Sequence, residues 1–153
     1  MLGENLTPEQ KNSVLALLGV ADGAQIAAVT VGIQDEKALL GALVSADKIG
    51  TRSLSSARIT MQSPGSGIDV TCCNITYVTP AMYASALLTA GVQDAKVVVA
   101  APVPVSGTAA LAGIFKGYEI ANNLTLDRVA KAVASEELLL SGELAEFVGS
   151  DQA

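Results

Sequence analysis

The chain has 153 residues, half of them hydrophobic, which is enough to enclose one continuous apolar core without disulfide or metal staples. Fifteen acidic residues against nine basic ones give a formal charge of −6; with Lys and Arg scattered along the chain there is no basic footprint for a phosphate backbone, and no nucleic-acid partner is expected. His is absent, which excludes His-based nucleophile systems, His-containing zinc sites and imidazole acid–base catalysis.

Aromatic residues make up 3% of the chain and Trp is missing, so Ala, Val, Leu and Ile must fill the core. No apolar run approaches the ~18 residues of a membrane span, and the opening MLGENLTPEQ lacks the charged and apolar regions of a signal peptide. An exported precursor would carry its signal ahead of this region.

The first element is a helix with Thr7 as N-cap, Pro8 at its first position, Gln10 reaching back in a capping box, and Gly19 as its stop. QIAAVTVGI (25–33) then has the β-branched content of a strand, and DEKALLGALVS (35–45) the composition of a helix. ARITMQ (57–62), the turn cluster SPGSG (63–67) and IDVTCCNITYV (68–78) predict an antiparallel hairpin. The change of apolar phase between Cys72 and Ile75 predicts a bulge near Cys73-Asn74.

Thr79-Pro80 opens a second capped helix over 80–90 that Gly91 ends. KVVVAA (96–101) is apolar on both faces and reads as a covered central strand. A helix from about Ser106 to Ala121 follows. Another starts from a Thr125 N-cap, with Leu126, Val129, Ala130 and Val133 on one side, and a last turn or two surrounds Leu144, Phe147 and Val148. The class is α/β of the α+β type: a β-α-β-β-α-β ferredoxin-like sheet, or a mixed sheet, with extra N- and C-terminal helices in a single globular domain over 1–153. The C-terminal helices are available to cover the second face of that sheet.

Three strings, KIGTRSLSSARI (48–59), CNITYVTPAMYASALLTAGVQDAKVVVAAPVPVSGTAAL (73–111) and AGIFKGYE (112–119), resemble the YpuA-like family of exported or envelope bacterial proteins, a domain of unknown function. The likeness extends from LGENLTPEQ to SEELLLSGELAEFVG. It implies an extracytoplasmic setting and the mature N-terminal domain of a longer exported protein. It supplies no catalytic residues.

The residues themselves offer one cradle for an anion. At Ser106-Gly107-Thr108 a strand enters a helix, whose N-terminus presents free N–H groups and a positive dipole. The alternative is that Ser106 merely caps that helix. In the loop before the hairpin, Thr51, Arg52 and Ser53 supply a guanidinium and two hydroxyls suited to a carboxylate, or an Arg that pairs with Asp47 or Glu36.

Ser45 and Lys48 match a Ser-x-x-Lys spacing by chance, in a chain far too short for the penicillin-recognising fold. Cys72 and Cys73 are adjacent, so an extended backbone sends them to opposite faces as separate thiols. Nothing points to a cofactor or a resident metal. The expected function is therefore a noncatalytic binding module whose partner is an envelope protein, a wall polymer or a small anionic ligand. The alternative is a carboxylate- or phosphate-binding protein or hydrolase built on the helix N-terminus and Arg52.

Overall fold

A computed structural model describes residues 1–20, 30–40, 53–108 and 110–151. In chain order it contains β1 (Leu2–Gly3), α1 (Pro8–Leu17), β2 (Thr30–Val31), α2 (Ile33–Leu40), β3 (Ser56–Met61), β4 (Ile68–Ile75), α3 (Pro80–Ala90), β5 (Ala95–Val105), α4 (Ala110–Asn122) and α5 (Arg128–Asp151). This is an α+β arrangement with a three-stranded mixed sheet and a two-stranded parallel one.

Local chemistry sets the helix starts as the sequence predicts. Thr7 accepts from the Gln10 N–H at 3.1 Å and the Gln10 side chain accepts from the Thr7 N–H at 3.0 Å. Thr79 accepts from the Met82 N–H at 3.2 Å. Both caps precede a proline whose missing N–H costs nothing at that position. Thr79→Ala should therefore lower stability by about 1 kcal/mol in urea denaturation.

The expected hairpin does not form. β5 lies between its two arms, in the order β3-β5-β4, antiparallel to β3 and parallel to β4. Val97 and Val99 join one apolar cluster while Val98 packs against another, so β5 needs cover on both faces and takes the centre. The two arms alternate in character and become the edges. The turn between them is spread around the start of β5: Gly65 and Gly67 donate to Asp94 Oδ1 at 3.1 and 2.9 Å, and Gln62 N–H donates to Asp94 O at 2.7 Å. Of the two topologies expected, the mixed sheet is the one found.

The predicted irregularity is present. Pairing passes from Cys73↔Ala100 to Ile75↔Val105, with Asn74 at φ 60°. The surplus residues belong to β5, where Pro102 and Pro104 lack the N–H groups a regular ladder would use. The Asn74 side chain closes the gap by donating to Ala101 O at 2.8 Å.

Helices α3 and α4 pack on one face of the sheet and α5 lies against α3, in one apolar cluster that includes Tyr83, Leu87, Leu111, Ile114, Phe115 and Leu138. The other face is covered by α1 through Val14 and Leu18, and not by the C-terminal helices. Cys72 packs with the first cluster and Cys73 with the second, both as free thiols. Burial pushes the Cys72 thiol up, with a smaller push from Cys73.

Of the strand expected at 25–33, Thr30–Val31 is seen as β2 and residues 25–29 lie outside the described residues. Ile33 already belongs to α2, and 41–45 of the helix expected there fall outside as well. The last helix starts at Arg128, and its cap is Asp127, which accepts from the Ala130 N–H at 2.9 Å, rather than Thr125. It then runs unbroken through the segment expected to be separate turns.

Candidate functional site

The sequence-predicted residues divide between two places. Thr51 and Arg52, like Ser45 and Lys48, lie outside the described residues. Ser53 is buried, donates its N–H to Asn5 Oδ1 at 2.7 Å and accepts from the Asn5 N–H at 3.0 Å. Its hydroxyl donates to the carboxyl of Glu36.

Glu36, on α2, is 1% exposed, and its Oε2 has no hydrogen-bond partner among the described residues. Burial is the main cause that raises this carboxyl to about 7; the Ser53 bond opposes the rise and the neighbouring Asp35 adds to it. Asp35 goes the other way. The Gly32 N–H and the Lys116 ammonium, 3.2 Å away, hold it below the usual range against a desolvation penalty. Lys116 also donates to Thr30 O at 3.1 Å, which ties α4 to β2 and α2.

Ser106, Gly107 and Thr108 follow the C-terminal end of β5. The antiparallel register places the start of β3, and with it Ser53, at that same end of the sheet. The cradle there is filled by protein. Gly107 is buried at φ 91°, and a Cβ on it would meet Ile75 Cγ2 at 2.4 Å and the Tyr83 hydroxyl at 2.5 Å. Tyr83 donates its hydroxyl to Gly107 O, and its burial pushes its own ionisation up. Ser106 O accepts from the N–H groups of Tyr77 and Val78 at 3.3 and 3.1 Å. The Ser106 hydroxyl is 3.4 Å from that of Thr108. Helix α4 begins at Ala110, so Ser106 stands before the position from which it would cap that helix.

Two further features were not read from the sequence as sites. A cleft of about 550 Å³ between α1, β3 and α4 is lined by Leu15, Leu18, Ala57, Ile59, Gly117 and Ile120. Arg58 also borders it, and donates to Leu18 O and Gly19 O at 3.3 and 2.9 Å. A cation is favoured there because those carbonyls end α1.

The second feature is the outer face of α5. Its inner face buries Ala134, Ser135 and Leu138, and Gly142 packs against the Tyr77 ring. On the opposite side Val129, Val133, Leu140 and Leu144 are 71%, 49%, 59% and 64% exposed. At 3.6 residues per turn these four lie within roughly 60° of one another. Val133, Leu140 and Leu144, with Glu136, Glu137 and Ser141, line an open groove of about 430 Å³.

The sequence stripe Leu126-Val129-Ala130-Val133 indicates an apolar side, but of its large residues only Leu126 turns inward. Glu137 beside the groove accepts from the hydroxyls of Ser85 and Thr89 on α3. These two bonds hold its carboxyl below the usual range. Among the described residues no group of acids and thiols is placed to hold a metal, and no helix is long and apolar enough to cross a membrane.

A family model described as "Protein of unknown function (DUF1002)" matches residues 2–153. The chain is 43% identical over 152 residues to the uncharacterized protein YpuA of Bacillus subtilis (strain 168), covering 99% of this chain and 52% of that one. It thus spans about half the length of that curated relative. No solved structure matches the chain significantly.

Proposed function

From the premise that the chain belongs to the DUF1002 family and is similar to YpuA of Bacillus subtilis, we propose that it is a noncatalytic interaction domain of the bacterial envelope that docks its partner on the outer face of α5. The observation that carries this reading is the exposed row Val129, Val133, Leu140 and Leu144 on a helix whose other side already contributes to the core. A helix that is apolar on two opposite sides belongs between two bodies, and clustered exposed apolar side chains are a common mark of a contact site. The extracytoplasmic setting is part of the proposal and rests on the family likeness.

The small-anion reading has less support. Ile75 and Tyr83 occupy the space beside Gly107, and Ser53 is engaged by Asn5 and Glu36. Capture from envelope extracts tests the preferred reading. The wild-type chain should retain a discrete partner that Leu140→Glu loses without a change in thermal midpoint. Recovery of nothing above background by the wild type would overturn it.

A further inference from the structure

The exposed row on α5 has a spacing that constrains its partner. Val129, Val133, Leu140 and Leu144 are separated by four, seven and four residues, an order that reads the same from either end. A two-fold contact between identical surfaces needs that property, because each residue must meet a partner related by the axis. With the axis between Glu136 and Glu137, an antiparallel copy of α5 sets Val129 against Leu144 and Val133 against Leu140. All four apolar residues are used and each bulky one meets another. The helix has 24 residues, about 36 Å at 1.5 Å per residue, long enough for the row to form a continuous seam.

Charge and dipole select the same orientation. α5 carries Arg128 and Lys131 in its first turn and Glu143, Glu146 and Asp151 toward its end. Lys131 is already paired with Glu119 at 2.9 Å, which leaves Arg128 as the cation at that end of α5 with no ion pair among the described residues. In the antiparallel register Arg128 of one copy comes within two positions of Glu143 of the other. A parallel pair would instead set Glu143 on Glu143, and would align the two helix dipoles unfavourably. Near the axis, Glu137 is drawn toward α3 by Ser85 and Thr89, and Glu136 is exposed at the edge of the seam, where it keeps its water.

Resting on the reading of this face as a docking surface, we infer that its partner is a second copy of the chain, joined through an antiparallel, two-fold pairing of α5 helices.

Sedimentation equilibrium of the purified 153-residue chain, from micromolar to near-millimolar concentration, tests the inference. The wild type should form a reversible dimer. Leu140→Glu should weaken it by about 100-fold or more, because a charge at the centre of a buried seam removes a contact and adds a desolvation cost. Val103→Glu, at an exposed apolar residue outside α5, should leave it unchanged, and at a concentration where the wild type is monomeric both variants should keep its thermal midpoint. A disulfide between Val133→Cys and Leu140→Cys of two copies, made in a chain with Cys72→Ser and Cys73→Ser, should lock the dimer in the antiparallel register. A monomer at the highest concentration overturns self-pairing but leaves the interaction-domain reading to its own capture test. A dimer that survives Leu140→Glu overturns the inference by placing the contact elsewhere.

Discussion

Gly107→Ala is expected to cost ~3 kcal/mol or more of stability. Two penalties combine. The backbone at φ 91° is one that L residues rarely adopt, and the new Cβ would fall 2.4 Å from Ile75 Cγ2 and 2.5 Å from the Tyr83 hydroxyl. Tyr83 is a buried core residue and Ile75, branched at Cβ, is packed against that core, so neither can withdraw cheaply.

Gly65→Ala separates the two penalties. Gly65 has nearly the same φ, 90°, but nothing lies within 4 Å of its Cβ position, so it should lose only the conformational part, about 1 kcal/mol. Urea denaturation of the two variants checks the difference. Equal losses would show that the contact of Gly107 with Ile75 and Tyr83 is not tight.

Glu36→Gln should remove a pH dependence and stabilise the protein at alkaline pH. The carboxyl rises from its ordinary 4.5 to about 7 because folding buries it. Between those values the folded chain holds a proton that the unfolded chain has released. Its contribution is therefore fully present below pH 4.5 and is lost as pH rises through 7. At 1.36 kcal/mol per pH unit the loss is ~3 kcal/mol, complete somewhat above pH 7. The glutamine variant has no charge to bury, so its stability should lack this decline and exceed that of the wild type at pH 8. A wild-type curve that is flat between pH 4.5 and 7.5 would contradict the buried placement of Glu36.

Features decided within a few residues were legible in the sequence. The Thr7 and Thr79 caps depend on neighbours three positions away, and the irregularity at Asn74 showed as a change of apolar phase. Features decided by distant burial were not. The SPGSG turn implies a hairpin locally, yet the need of β5 for cover on both faces separates its arms. For the last helix, Thr125 and Asp127 are both good caps. The Glu119 carboxylate binds the Leu126 N–H at 3.3 Å and so holds that segment non-helical up to Asp127.

The same limit applies to function. Ser53 was recognisable as a loop hydroxyl, but its partners Asn5 and Glu36 come from other parts of the chain. On α5 the apolar content was visible, while the side turned inward is chosen by α3 and by Tyr77. The inward side takes Ala134, Leu138 and Gly142, which leaves the bulkier row outside.

Whether that row touches another polypeptide is tested most directly by a photoreactive phenylalanine analogue placed at Leu140 of the chain expressed in a bacterial host, with Glu9 on α1 as the exposed control position. Irradiation should give a covalent adduct at Leu140 and none at Glu9, at twice the chain's mass if the partner is a second copy. Equal background at the two positions would contradict a docking role for α5.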